Sequence, residues 1–331
     1  MSAALRASGD GEVREALARA LAEVRGEPVA VTELTRQPFE YETSFAIDVL
    51  DVGLTSGERL ALLVKDVGPA GLSPEAAAAK PSHTLDPDRE IAVYRDLLAP
   101  AGLSTPRFYG AAVEPERERW WLFLERVEGE VLTDVGEVEV WCEAAARAAR
   151  LGAAVDGDSD ALLDRDAGWY EGWIEAAIAE LGPGAPADRD TAALLGRNRA
   201  GLVERLLTLP QTFVHGELYP ANVLVERTGG GPARIAPVDW ELAGTGPYAL
   251  DLAALAGGWS GDEHAAICRA FHAALPQGER PGPDELLEAV DLCQLALALQ
   301  WIGWAPGWVP PEAQRHDWRG EAARLLEAVL A

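Results

Sequence analysis

The sequence predicts an α+β protein with two lobes, a small antiparallel sheet followed by a larger and mostly helical part. Strand-like alternation of apolar and polar residues is concentrated before Val127, and after Gly129 the apolar spacing becomes helical almost throughout. The length, 331 residues, suits two domains or one bilobed domain. The expected division is 1–127 and 128–331, with a hinge near Val127 to Leu132 and a ligand cleft between the lobes.

Residues 11–25 carry helical spacing and form an N-terminal extension. Phe45, Ile47 and Val49 then alternate with polar or small residues, as a strand does. Thr55-Ser56-Gly57-Glu58 is a turn, and RLALLVKD, 59–66, is the return strand of a hairpin. Residues 67–85 are rich in Pro, Ala and Gly and predict a loop. Asp86-Pro87-Asp88 reads as a helix start, an acid cap with proline in the first turn. That helix should reach Leu98 and stop before Pro100. WWLFLERV, 120–127, is a further strand. Helices are expected near 137–155, 169–181, 189–208, 261–275, 284–301 and 318–330, with one short hairpin at 222–239 as the exception.

Composition excludes some functions. Apolar residues make up 48% of the chain, enough for a substantial core, and the formal net charge is -26. Such a charge disfavours nucleic acid and anionic membranes, whose phosphates attract Lys and Arg. It suits a cationic small molecule, and equally a solubilising background. Cys142, Cys268 and Cys293 lack metal-ligand spacing and read as reduced thiols of a cytoplasmic protein. No signal peptide is visible, and no apolar run reaches the ~18 residues of a membrane span.

The chemistry concentrates in FVHGELYPANVLV, 213–225, and the hairpin behind it. Asn222-Val-Leu-Val-Glu is one arm, Thr228 to Pro232 is a glycine-rich turn, and Arg234 to Asp239 is the other arm. A turn centred near Gly230 sets Asn222 opposite Asp239 at the open end. A carboxamide and a carboxylate so placed suit Mg²⁺, which fills its other positions with phosphate and water. Pro237 lacks an N–H and marks an irregular or edge arm. Gly216 permits a sharp turn before Glu217, whose carboxylate can take or orient the proton of an attacking hydroxyl. Asn or Asp alone at a strand end is commonly a turn former or cap. His215 reads as a structural hydrogen-bonding residue or a base.

Lys65 ends an apolar strand, where it either snorkels to solvent or meets an acid. Glu90 shares a helix face with Tyr94, Leu97 and Leu98. A carboxylate on an apolar stripe is costly unless paired. Lys65 is the expected partner, with Arg89 and Arg95 as rivals.

The strand lysine, the helix acid, His215-Gly216-Glu217 with Asn222, and Asp239 in VDWELAGTGPYALDLA together resemble the aminoglycoside phosphotransferase/choline kinase-like family. These are small-molecule kinases with a protein kinase-like fold. The likeness runs over roughly 30–305 and is most specific in 213–255. It implies ATP or GTP as phosphoryl donor, with the base edge against backbone groups near Glu125 to Val127. It implies Lys65 on the α/β-phosphates, Glu90 holding Lys65, and Mg²⁺ on Asn222 and Asp239. Asp251 matches an acid expected to hold the catalytic loop; its plain alternative is a cap for a helix at 252–256.

Three features depart from the family pattern. Glu217 stands where the family has Asp, which displaces the carboxylate by ~1.5 Å, a shift able to cost ~100-fold unless the loop is reset. No glycine-rich loop precedes Lys65, leaving residues 35–46, with Thr43 and Ser44, to cover the phosphates. Gly152 stands where many relatives carry histidine.

On the acceptor side, Trp259, Trp301, Trp304, Trp308 and Trp318 are core residues or stacking surfaces, and Pro306 ends the helix before Trp308. His316, Asp317 and Glu241 are candidate polar contacts. The expected activity is Mg²⁺-dependent transfer from ATP or GTP to a hydroxyl of a small polar molecule. Such acceptors include an aminoglycoside or related antibiotic, a sugar, an amino sugar or an amino alcohol. The competing readings are a kinase for peptide Ser/Thr and a nucleotide-binding pseudokinase.

Overall fold

Strands β1 (Val31–Pro38), β2 (Ala46–Leu54), β3 (Arg59–Asp66), β4 (Phe108–Glu114) and β5 (Arg119–Glu125) form one sheet in the order β1-β2-β3-β5-β4, every neighbour antiparallel. These positions come from a computed structural model that describes residues 5, 8–40, 43–155, 159–227, 231–278, 280–304 and 316–331. Helix α1 (Asp10–Arg25) buries Val13, Ala16, Leu17, Ala20 and Leu21 with Leu50, Val52, Leu62, Val64, Trp121 and Phe123 of the sheet. Burying a leucine of this kind contributes ~1.5–3 kcal/mol. Because side chains alternate along a strand, Leu60, Leu62 and Val64 face this core and Lys65 turns to the other side.

Two compact units divide the chain, Met1–Glu130 with Leu224–Glu241, and Val131–Val223 with Leu242–Ala331. Relative to the expected break at 127/128, the segment 224–241 groups with the first unit. Arg234 forks onto the Glu125 carboxylate at 2.7 Å through each of Nη1 and Nη2, which ties strand β10 (Arg234–Pro237) to β5. Strand β9 (Val223–Glu226) lies between β10 and the short β6 (Glu130–Val131). The glycine-rich turn at 228–230 lies outside the described residues.

Two local expectations are corrected in the first unit. Residues 67–85 are not only loop: Pro74–Ala79 is a helix (α2), with Ser73 capping it by accepting from Ala76 N at 3.1 Å. The next helix, α3 (residues 89–101), starts at Arg89, because Asp86 instead accepts from Asp88 N in a local turn. It runs past Pro100 to a left-handed Gly102. The π-helical turn Val93–Leu98 shifts its register just before the proline, so Pro100 falls in the first turn of a new short helix.

The second unit is mainly helical: α4 (Val138–Ala154), α5 (Ala167–Leu181), α6 (Pro186–Thr208), α7 (Leu250–Ala256), α8 (Gly261–Ala274), α9 (Pro283–Trp304) and α10 (Trp318–Leu330). Helix α9 is long and apolar enough to cross a membrane by length and composition, but 61% of its most apolar window is buried inside the protein. The unit also holds a sheet that sequence patterning does not anticipate, β7 (Leu163–Asp164), β11 (Gly244–Pro247) and β8 (Gln211–Val214), in the order β7-β11-β8. Its strands are too short, and β11 too rich in glycine, to show alternation. Trp308 lies outside the described residues.

Candidate active site

Lys65 is the centre of the first unit's polar cluster. Its Nζ donates to Glu90 Oε2 at 2.6 Å and to Asp239 Oδ1 at 2.5 Å. The lysine side chain is 9% exposed and that of Glu90 2%, so the ammonium does not snorkel to water. Burial would lower the Lys65 pKa, but Asp239, Glu90 and Glu241 outweigh it and raise the value. Burial in turn raises the Glu90 carboxyl above its ordinary value, against the pull of Lys65. The rival partners are engaged elsewhere: Arg89 donates to the Thr84 and Glu241 carbonyls, and Arg95 pairs with Asp96.

Asp239 follows β10 with φ 67, a left-handed conformation that Asp tolerates better than most residues. Its side chain is 39% exposed.

The remaining first-unit candidates fall in three places. Ser44 accepts through its carbonyl from Ser73 N at 2.8 Å, and the adjoining Phe45 bridges to Leu72. Glu125 pairs with Leu62 at the end of β5, and its carboxylate is committed to Arg234 and to Arg107 N. Val127 is buried just beyond that strand.

In the second unit the loop after β8 is held from beneath. Asp251, in the first turn of α7, accepts from His215 N at 2.8 Å through Oδ2 and from Gly216 N at 3.0 Å through Oδ1. It therefore clamps the loop backbone. His215 is 1% exposed, and its Nδ1 accepts from Glu217 N at 3.3 Å. Asn222 Nδ2 donates to the Glu217 carbonyl at 3.0 Å. These bonds fix both ends of HGELYPAN and leave the Glu217 side chain half-buried.

Gly216 has φ 87, and a Cβ there would overlap the Arg165 guanidinium and come 2.5 Å from the Leu242 carbonyl oxygen. Arg165 escaped sequence reasoning because RDAG carries no pattern of its own. It is buried, and its Nη2 donates to Leu242 O at 2.6 Å. Gly152 also has a spatial cause: a Cβ there would stand 3.1 Å from Phe213 O, so α4 lies close against β8.

Each unit carries an oxygen donor of the kind a hard divalent cation takes. In the second unit, Asn222 commits its amide nitrogen to the Glu217 carbonyl, which leaves its oxygen as the atom that could take a cation; in the first unit, Asp239 carries a partly exposed carboxylate. Among the described residues no three His, Cys, Asp or Glu side chains form a metal cage. An ion that draws most of its shell from phosphate and water needs none.

The aromatic residues divide. Trp173 stacks on Trp304 at 5.5 Å and meets Trp169 edge-on, as core packing does. Trp259 meets Trp141 edge-on at 5.2 Å. Trp301 stacks on Trp318 at 5.6 Å and donates through Nε1 to the Tyr219 hydroxyl at 2.5 Å. This ties α9 to the loop that carries Glu217. Asp317 caps α10 by accepting from Gly320 N, and His316 pairs with Glu321. Glu241 pairs with Lys80, a residue that sequence reasoning passed over.

Comparison with solved structures places the fold. Choline kinase from Cryptosporidium parvum Iowa II superposes with a TM-score of 0.57 at 13% identity, covering 90% of this chain and 88% of that one. Wild-type aminoglycoside 2'-phosphotransferase-IIIa in its GDP complex gives 0.53 at 12% identity, covering 93% and 96%. The microcompartment-associated aminopropanol kinase gives 0.52 at 17% identity, covering 90% of each chain. At these identities the likeness establishes a kinase-like fold. No curated protein matches the chain at significant similarity. The profile of the phosphotransferase enzyme family matches residues 54–289, a span from the end of β2 to α9 that takes in Lys65, the His215 loop and Asp239, and the chain belongs to that family.

Proposed function

We propose that this phosphotransferase moves the γ-phosphoryl group of ATP or GTP to a hydroxyl of a small polar molecule. The acceptors in view are an aminoglycoside or related antibiotic, a sugar, an amino sugar or an amino alcohol. The observation that carries the reading is the buried Lys65 ammonium, held between Glu90 and Asp239. A desolvated cation fixed by two acids is arranged to bind phosphate oxygens, and Glu90 keeps it in place while they arrive.

The chain's own groups then have distinct tasks. Lys65 binds the α/β-phosphates. Asn222 and Asp239 would hold Mg²⁺, which supplies charge neutralisation on the phosphates when bound. Glu217 takes the proton of the acceptor hydroxyl as that oxygen bonds to the γ-phosphorus. The bond from the γ-phosphorus to the bridging oxygen breaks, leaving ADP or GDP. Asp251 and Gly216 position Glu217 by fixing the loop backbone, which lets the longer carboxylate occupy a reset position.

The relatives named above act, by their names, on aminoglycosides, choline and aminopropanol. A cationic acceptor also agrees with the net charge of -26. The test is release of ADP or GDP over a panel of such acceptors with Mg²⁺, for the parent and Glu217→Gln. Glu217→Gln is expected to lose at least ~100-fold in turnover while nucleotide affinity stays within about 2-fold. Equal turnover in the two proteins would remove Glu217 from the mechanism.

A further inference from the structure

The segment between Lys65 and Glu90 does more than connect them. Its first part is pinned to the stretch expected to cover the phosphates, by Ser73 N on Ser44 O and by the Phe45–Leu72 bridge. Its last part is closed by Arg89, which donates to Thr84 O at 3.0 Å and to Glu241 O at 2.8 Å. Between these anchors, helix α2 ends at Lys80.

Lys80 turns inward. Its side chain is 8% exposed, and its ammonium pairs with the Glu241 carboxylate, itself 13% exposed. Glu241 lies two residues after Asp239 in the sequence. The ammonium groups of Lys80 and Lys65 each stand 5.2 Å from the centroid of the same Phe45 ring. One aromatic ring thus lies within reach of two desolvated cations, which its quadrupole attracts. The charge of Glu241 also acts on Lys65 and on Glu90, so the second pair adjoins the first.

A buried lysine–acid pair is a weak source of stability, because desolvation offsets most of the attraction. What it does provide is a dry ammonium on a flexible stem, able to exchange a carboxylate for phosphate oxygens. We propose that Lys80 is a second cation for the polyphosphate of the donor nucleotide, paired with Glu241 until phosphate oxygens displace that carboxylate. This rests on the nucleotide-dependent reading of Lys65 given above. The fold supplies through α2 the phosphate contacts that a glycine-rich loop would otherwise make.

The test measures affinity of the full chain for Mg²⁺ with ATP or GTP, and separately for inorganic tripolyphosphate, in the parent, K80M, K80R and E241Q. K80M is expected to weaken nucleotide and tripolyphosphate about 10-fold, with K80R within about 3-fold of the parent. E241Q removes the acid that competes for Lys80, so it should bind as tightly as the parent or more tightly. Should K80M melt early because Glu241 loses its partner, K80M/E241Q removes both charges and carries the same expected loss. Parent-like binding by K80M overturns the assignment, as does equal weakening by K80M and E241Q, which would mark a structural strut. A parent that binds neither nucleotide nor tripolyphosphate overturns the functional reading and Lys80's role together.

Discussion

Glu217 is placed by its loop neighbours and by the Asp251 carboxylate beneath them. Gly216 before it occupies a backbone region that side chains disfavour, in a space walled by Arg165 and the Leu242 carbonyl. Gly216→Ala must therefore displace the loop or the guanidinium. A displacement near 1 Å at a reacting group can cost ~100-fold. Phosphoryl transfer in Gly216→Ala should fall by about that factor while circular dichroism stays unchanged, and a parent-like rate would show that the loop tolerates a Cβ. Some residue roles were legible before the fold was known. Glu90 stood out as an acid on an apolar helix face, and Lys65 as a charge closing an apolar strand. Lys80 and Arg165 did not stand out. A lysine in PEAAAAKPSHT looks solvated, and its pairing with Glu241, 161 positions away, has no signal in that stretch.

At the scale of elements, helix α7 acts as the support of the loop at 215–222. Two loop N–H groups depend on one carboxylate at the start of α7. Leaving a buried N–H without a partner costs ~1–3 kcal/mol, so Asp251→Ala should lower unfolding free energy by about 3 kcal/mol. Asp251→Asn, which keeps one acceptor oxygen, should lose less. Urea denaturation checks the order, and equal stability of all three proteins would mean that the loop is held by other contacts. Long helices were readable because their apolar spacing repeats over several turns. The strands at 108–114 and 244–247 were not, because FYGAAVE and GTGP carry small residues and glycine where alternation would show. The helix at 89–101 outran its expected end because a π-helical turn places Pro100 where its missing N–H costs little.

At the scale of the molecule, the family profile spans both units, and the two sets of placed residues differ in kind. The first unit gathers Lys65, Glu90 and Asp239 around a cation. The second fixes His215, Glu217 and Asn222 on a loop tied down by Asp251. Motif spacing singled these residues out, but it set Asp239 with Asn222 in the second lobe, and the pairing of Asp239 with Lys65, 174 positions away, was not legible. The sequence also left the acceptor open, because that choice depends on surface shape. The account stands or falls on Asp239 serving both Lys65 and a divalent ion. The most direct measurement is Mg²⁺-dependent release of ADP or GDP by Asp239→Asn, a substitution that retains tolerance for the left-handed backbone at this position. The account predicts a loss of at least ~100-fold at saturating nucleotide and acceptor, since charge stabilisation dominates such transfers. An Asp239→Asn rate equal to the parent's would contradict it.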